Sequence, residues 1–291
     1  MHRIGNGLIK QKKAAVLAEH TDAKTVGKQD VQGRDLLSLL IRANMGTDLP
    51  ESYRMEDRDV LSQVPTFLVA GHETTSTGTT WALYALASNP RVQAKLRDEV
   101  LSHPSDNPTM DEVNSLPYLD AVVRESLRLH PPVPATSRVA TEDDVIPLEE
   151  PVTCRDGVTR KDFRVSKGDW ITIPIRKINK STKLWGDDAL EFKPERWSDV
   201  PEAVQAIPSV FSNLFTFIAG PHACIGYRFA VIEMKVLLFT LIRSFEFRLA
   251  FPQEDLYIKS YIVSRPFLRG HPGGASMPLY VSAVKTENGG V

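Results

Sequence analysis

The sequence predicts a mainly α fold with a smaller β portion. Three observations predict it. Apolar residues recur at helical spacing through most of the first 130 residues. Short β-like pieces, punctuated by Gly and Pro turn signals, fill residues 133–180 and 244–284. Between these β regions lies one apolar run, Phe229–Ile242, which carries Glu233 and Lys235 and is too short to span a bilayer. A buried helix is expected there. No clean linker, internal repeat or low-complexity tract is visible, so residues 1–291 are expected to form a single domain.

The elements follow in order. Residues 1–20 read as a helix that is basic and amphipathic, without the apolar core of a signal peptide. Residues 20–33 are polar and loop-like, and 34–45 return to helical spacing. A long helical pattern runs from about Asp59 to Ser88, where Asn89-Pro90 ends it. Its interior holds Pro65 and the stretch "AGHETTSTGTT". Each Gly there costs about 1 kcal/mol against Ala, and Thr is also a poor helix former, so a local break is expected. Residues 90–102 read as a helix with Pro90 at its first position. Residues 118–130 read as another, stopped by Pro131-Pro132. Turn signals at Asp156-Gly157 and Lys167-Gly168-Asp169 separate the strands of 133–180. Residues 181–221 are irregular and rich in Pro. A helix after Cys224 runs to about Arg243, and short strands complete the chain.

Composition narrows the function classes. An apolar content of 42% and a charged content of 24% suit a soluble globular protein. The formal net charge of −1 gives no bulk basicity for nucleic acid and no polybasic tail for a membrane surface. The two cysteines, Cys154 and Cys224, form no C-x-x-C pair and no disulfide framework, which favours a reducing compartment. Cys154 lies in a polar turn and has no partner pattern.

Four stretches carry chemistry. Cys224 sits in "FIAGPHACIGYRFA", residues 217–230. A lone cysteine is most often a small buried hydrophobe. Here Gly220-Pro221 forces a turn, and an apolar helix starts just behind the cysteine. Free N–H groups at a helix start can hold a sulfur anion, and Gly226 lets a bulky group approach the backbone. That arrangement suits a metal ligand. A nucleophile with His222 as its base is the rival reading. In "AGHETTS", Glu73 and Thr74 pair an acid with a hydroxyl between strongly apolar flanks, in a helix expected to be largely buried. Such a pair can deliver protons. Glu125 and Arg128 share one helix face at i, i+3, and Arg196 in "FKPERW" offers a third charge. The same E-x-x-R spacing at Glu51 and Arg54 falls in an expected loop. Arg138 follows "HPPVPATS" and by itself reads as an ordinary exposed arginine.

These elements, in this order, resemble the cytochrome P450 family of haem-thiolate monooxygenases. The matching residues are Ala70-Gly71-x-Glu73-Thr74-Thr75, then Glu125-x-x-Arg128, then Pro194-Glu195-Arg196-Trp197, then Phe217-x-x-Gly220-x-x-x-Cys224-x-Gly226. The resemblance covers nearly the whole chain and is similar in flavour to fungal microsomal-type members. It implies haem b (iron protoporphyrin IX) as cofactor, with Cys224 as the axial ligand of the iron. Phe217 and Gly226 would pack beside the sulfur and the cofactor, and His222 and Arg138 would bond its propionates. Glu73 and Thr74 would pass protons to dioxygen. Glu125, Arg128 and Arg196 would form a buried structural triad. Leu68–Gly71, Val133–Thr136 and Tyr261–Val263 would contact substrate.

The implied reaction inserts one oxygen atom of dioxygen into a lipophilic organic substrate. Electrons would come from NADPH through NADPH–cytochrome P450 reductase. No flavin or nucleotide domain is visible, and no nucleic-acid partner is expected. Family members are usually much longer. The chain is therefore expected to be the C-terminal haem-binding portion, an incomplete P450 fold whose N-terminal part is missing. Full-length relatives are expected in the endoplasmic reticulum membrane. This chain would be soluble and cytoplasmic-facing, with membrane association only through the missing anchor. A truncated, non-catalytic haem-binding remnant is the alternative, and a cysteine hydrolase built on Cys224 and His222 is a further rival.

Overall fold

The computed structural model describes residues 2–19, 35–45, 50, 52 and 54–284. The expected loop at 20–33 and Glu51 of the first E-x-x-R pattern lie outside the described residues. The chain divides into two compact units, residues 1–73 and 74–291.

The first unit contains α1 (His2–Glu19), α2 (Leu36–Met45) and the first half of α3 (Asp57–Ser88). Ile9, Ile41 and Val60 form its small buried cluster, with Leu37, Leu40 and Leu61 against it. The Asp35 carboxylate accepts from the Ser38 N–H at 2.9 Å, in front of α2. It also pairs with Lys12 on α1 at 2.9 Å. These bonds hold its carboxyl well below the usual carboxylate range.

The expected break in the long helix does not occur, for α3 runs uninterrupted from Asp57 through Pro65 to Ser88. Its hydroxyls supply part of the reason. Thr79 and Thr80 donate to the carbonyls of Thr75 and Ser76, at 3.0 and 2.8 Å. Ser62 and Thr66 do the same to Arg58 and Ser62. Part of the polar stretch thus satisfies itself along the helix, and tertiary burial from Thr75 onward outweighs weak propensity. Gly78 has a packing role, since a Cβ there would lie 3.2 Å from Met234 Sδ and 3.5 Å from Pro132. The expectation of a largely buried helix needs correction. Leu68 and Val69 are 58% and 60% exposed, and after Val60 no residue of the helix is buried again until Thr75. Consecutive apolar residues ring a helix, whereas packing buries one face.

The second unit holds α4 (Pro90–Ser102), α5 (Met110–Asn114) and α6 (Pro117–Leu129). They are followed by β1 (Thr136–Val139), β2 (Asp144–Thr153), β3 (Thr159–Val165) and β4 (Trp170–Ile173). Short helices α7 (Ile175–Ile178), α8 (Thr182–Trp185) and α9 (Glu202–Gln205) precede α10 (Tyr227–Ser244). Strands β5 (Phe245–Leu249), β6 (Leu256–Ser260), β7 (Ser264–Leu268) and β8 (Leu279–Ala283) complete it. The strands form antiparallel pairs β1–β4, β2–β3, β5–β8 and β6–β7. The mainly α class with a smaller β portion is therefore the observed one. Gly157 and Gly168 take φ of +77° and +93° at the two expected turns. Cys154 is half-buried at the first of them, where its N–H donates to the Val158 carbonyl.

The core lies where α4, α6 and α10 meet. Leu96, Val100, Leu119, Val123, Leu238 and Ile242 are all fully buried there. The apolar run of α10 is buried on one face only, for Phe229 on the other is 65% exposed. Lys235 is buried because its ammonium pairs with Asp120 at 2.7 Å and donates to Asn114 at 3.1 Å. No helix among the described residues is long and apolar enough to cross a membrane.

Candidate functional site

Cys224 is held by a loop of unusual backbone. Ser212, Asn213 and Ile218 take positive φ of 52°, 55° and 60°, and Gly220 takes 69°. For a β-branched residue such as Ile218 this costs about 1–3 kcal/mol, so the surroundings must impose it. They do so through the backbone. The Cys224 N–H donates to the Phe217 carbonyl at 2.9 Å, and the Val210 N–H donates to the Ile218 carbonyl at 3.3 Å. The Asn213 amide holds the carbonyls of Gln205 and Ile207, at 3.0 and 2.9 Å. The Phe217 ring is buried and meets Phe211 edge-on at 5.6 Å and Tyr227 at 6.1 Å. The residues on both sides of the turn are thereby fixed, while Cys224 itself is left exposed.

Behind the cysteine, Gly226 precedes the first turn of α10 without a side-chain cap. The first intrahelical bond runs from the Ala230 N–H to the Gly226 carbonyl, at 2.9 Å. The N–H groups ahead of it are left for an anion or for solvent. A Cβ on Gly226 would meet nothing within 4 Å, so the space over this backbone is open.

Cys224 lines a cleft of about 190 Å³. Thr74 and Thr75 of α3, Val133, Phe217 and Met234 share the lining. His222 and Thr136 also reach it, and most of the remaining wall is apolar. His222 is exposed, and no hydrogen bond joins it to the Cys224 sulfur among the described residues. Glu73 is half-buried, adjoins Thr74 in sequence, and is not among the lining residues. Arg138 is half-buried on β1. Its guanidinium donates to Thr136 Oγ1 at 3.1 Å and to the Ser137 carbonyl at 2.9 Å, with no carboxylate partner among the described residues. Of the three expected substrate segments, Val133 and Thr136 line the cleft. Leu68, Val69, Tyr261 and Ile262 are exposed, and Val263 is buried.

The three charges Glu125, Arg128 and Arg196 meet in the core. Arg128 grips the Glu125 carboxylate with two bonds of 2.8 Å, and Arg196 Nε adds a third at 2.9 Å. Glu125 and Arg128 are fully buried. Buried charges need every hydrogen-bonding position filled. Glu125 therefore also accepts from the Lys193 N–H and from Trp197 Nε1. Arg128 also donates to the carbonyls of Asn179, Ala189 and Glu191. Asp188 takes the far side of Arg196 at 2.9 Å, and Lys193 and Arg196 together hold its carboxyl down at about 2.

Sequence reasoning missed the link from this cluster to the cysteine loop. Asn179 is 1% exposed, and Arg128 holds its carbonyl. Its side-chain oxygen accepts from the Phe215 N–H at 3.1 Å, and its amide donates to Thr216 Oγ1 at 2.9 Å. Thr216 donates in turn to the Leu127 carbonyl at 2.8 Å. The buried charges on α6 are thus tied to the loop two residues before Phe217. No local pattern marks Asn179. His130 was missed as well. It is buried against Trp81, ring to ring at 5.0 Å, and burial with nearby Lys180, Arg128 and Arg176 pushes its imidazole down to about 3.

Chemically, the loop presents one thiol to an apolar cleft at a helix start. Among the described residues no cluster of three or more His, Cys, Asp or Glu could hold a metal. A large apolar cofactor bearing anionic edges fits this set, with His222 on the same loop and Arg138 without an acid of its own.

The family model described as cytochrome P450 matches residues 4–266. The chain is 56% identical over 287 residues to cytochrome P450 monooxygenase 205 of Postia placenta, covering 98% of this chain and 52% of that protein. It is 42% identical over 279 residues to cytochrome P450 monooxygenase claP of Ampulloclitocybe clavipes, covering 94% and 51%. It is 36% identical over 293 residues to a ganoderic acid synthetase of Ganoderma lucidum, covering 98% and 52%. The chain spans about half the length of the curated relatives it matches.

Proposed function

The chain belongs to the cytochrome P450 family, and from that premise we propose that it carries the C-terminal, haem-binding portion of a single monooxygenase domain. Both compact units belong to that domain in this reading. The observation that carries it is the position of Cys224, on a strained loop that lines the same apolar cleft as Thr74.

Haem b, when bound, supplies the reductive activation of dioxygen, and a thiolate ligand favours O–O cleavage. The remaining work falls to residues of this chain. Cys224 ligates the iron, with the free N–H groups at the start of α10 balancing the sulfur charge. Phe217 and the open backbone at Gly226 shape the cofactor's seat beside it. His222 and Arg138 bond the propionates. Thr74 holds a proton donor in the cleft, and Glu73, next to it on α3, replenishes the proton. Apolar walls exclude bulk water and accept a lipophilic organic substrate. One oxygen atom enters the substrate and the other leaves as water, using two electrons and two protons. NADPH–cytochrome P450 reductase is the proposed electron source.

Ligation is tested by adding hemin to the chain, reducing it and adding carbon monoxide. The expected result is a strongly red-shifted Soret band that disappears in Cys224→Ala. A band unchanged by that substitution sinks the assignment of Cys224. Hemin uptake without oxygen-dependent product, when reductase and NADPH are supplied, would favour the non-catalytic haem-binding remnant. Hydrolysis without haem, blocked by thiol alkylation, would restore the Cys224–His222 hydrolase.

A further inference from the structure

Around α7 the chain gathers positive charge that no acid of the described residues balances. Arg176 and Lys180 are both half-buried, and neither side chain has a hydrogen bond or ion pair among the described residues. Neighbouring cations are engaged, Arg128 by the Glu125 carboxylate and Lys183 by Glu150. Burial pushes the Lys180 ammonium down to about 8, and Arg176 and then Arg128 push it the same way. His130, at the end of α6, is depressed by burial and then by Lys180, Arg128 and Arg176. Its buried Nδ1 has no partner. These side chains therefore lie within reach of one another's fields, and no carboxylate is among the groups that act on Lys180 or His130. A lysine usually escapes such crowding by extending its ammonium into water. Lys180 stays covered enough that burial is the first cause of its shift. Like charges held together partly out of water are unfavourable until an anion joins them.

We infer that Arg176 and Lys180, with His130 in the same field, form an oxyanion site that takes a phosphate-type dianion, inorganic or borne by a small metabolite. Charge selects the class. Arg128 is balanced by Glu125, so Arg176 and Lys180 are the charges left over. A dianion balances both, whereas a single carboxylate balances one. The guanidinium offers a planar fork that matches phosphate oxygens, and the ammonium adds a point charge. The His130 Nδ1 supplies a neutral donor in one of its tautomers. The site goes beyond the monooxygenase reading and does not rest on haem. Lys180 follows Asn179, whose side chain bridges to Phe215 and Thr216, so a bound anion also braces the segment that holds the cysteine loop.

The test titrates the chain with inorganic phosphate near neutral pH, at an ionic strength held constant with sodium chloride. Binding should saturate, and at ten times the dissociation constant Tm should rise by about 2–4 °C. Lys180→Met and Arg176→Met should each weaken phosphate binding about ten- to a hundredfold, while Lys180→Arg keeps it. Lys177→Met, on the exposed residue between them, should bind as wild type does. Acetate separates the two oxyanion chemistries and should bind at least about tenfold more weakly than phosphate. Acetate binding as tight as phosphate overturns the dianion assignment. A second readout needs no variant. Acetylation of the wild-type chain, followed residue by residue by mass spectrometry, should slow at Lys180 as phosphate saturates and stay unchanged at Lys177. No saturable effect of phosphate on Tm, no protection of Lys180, or wild-type affinity in Lys180→Met overturns the inference.

Discussion

At the scale of single residues, the structure separates side chains that hold charge from those that exclude it. Arg128 and Glu125 are paired in the core with every bonding position filled. His130, two residues from Arg128, is instead buried as a neutral ring. Its Nδ1 has no partner, and its face lies flat on Trp81 with 4° between the planes. The imidazole takes a proton near 6.5 in an unfolded chain and near 3 in the fold. Between those values the unfolded state binds more protons, so stability falls as pH drops through that window and is recovered above it. One group contributes up to about 1.4 kcal/mol per pH unit there. His130→Phe keeps the stack and removes the titration. Urea midpoints of wild type and variant should run apart progressively as pH falls from 6.5 to 4, with the variant higher. Parallel curves would mean that His130 is not buried as the neutral form.

At the scale of elements, short bridges hold the cysteine loop to the helices. Asn179, just past α7, joins the Arg128 guanidinium to the Phe215 N–H and the Thr216 hydroxyl. Asn179→Leu retains volume, leaves the Phe215 N–H without its partner in a part-buried place, and leaves Thr216 with its Leu127 bond alone. The expected loss of stability is about 1–3 kcal/mol. If the bridge positions the cysteine, the reduced carbon monoxide complex of the hemin-loaded variant should also lose part of its red-shifted band. A stable variant with an unaltered band would limit Asn179 to packing. This bridge also marks where the sequence stops being readable. The turn at Cys224 was legible because Gly220, Pro221 and the helix start are neighbours in the chain. The role of Asn179 was not, because its partners lie 36, 37 and 51 residues away. The five residues of α5 are too few for periodicity, although the Thr109–Glu112 capping box was there to be read. The uninterrupted α3 was illegible for the opposite reason. Its local signals favour a break, while hydroxyl back-bonding and burial beyond Thr75 favour the helix. The four collinear motifs carried the reading of the site, because their order and spacing match one family together, where any one alone would be weak.

At the scale of the whole molecule, the two compact units differ in what holds them. The first rests on Ile9, Ile41 and Val60, with half-buried apolar neighbours and the ion pairs Lys12–Asp35 and Lys13–Asp57. The lysine and aspartate side chains of these pairs keep solvent access, and such pairs contribute only about 0–1 kcal/mol each. The second is built on one continuous cluster that runs from Ala82 on α3 through α4, α6 and α10 to Phe247 on β5, around the fully satisfied charges of Glu125 and Arg128. Apolar burial is the main favourable term, so local opening should follow this difference. Amide hydrogen exchange tests it directly. Amides of α1 and α2 should exchange through openings of low free energy. Those of α6 and the buried turns of α10 should exchange only through openings near the global unfolding free energy. Along α3, protection should rise across Glu73–Thr74, because one continuous helix passes there from a thin core to a deep one. Uniform protection along α3, or α1 and α2 as slow as α6, would mean that the units unfold together and that the small cluster does not set the stability of the first.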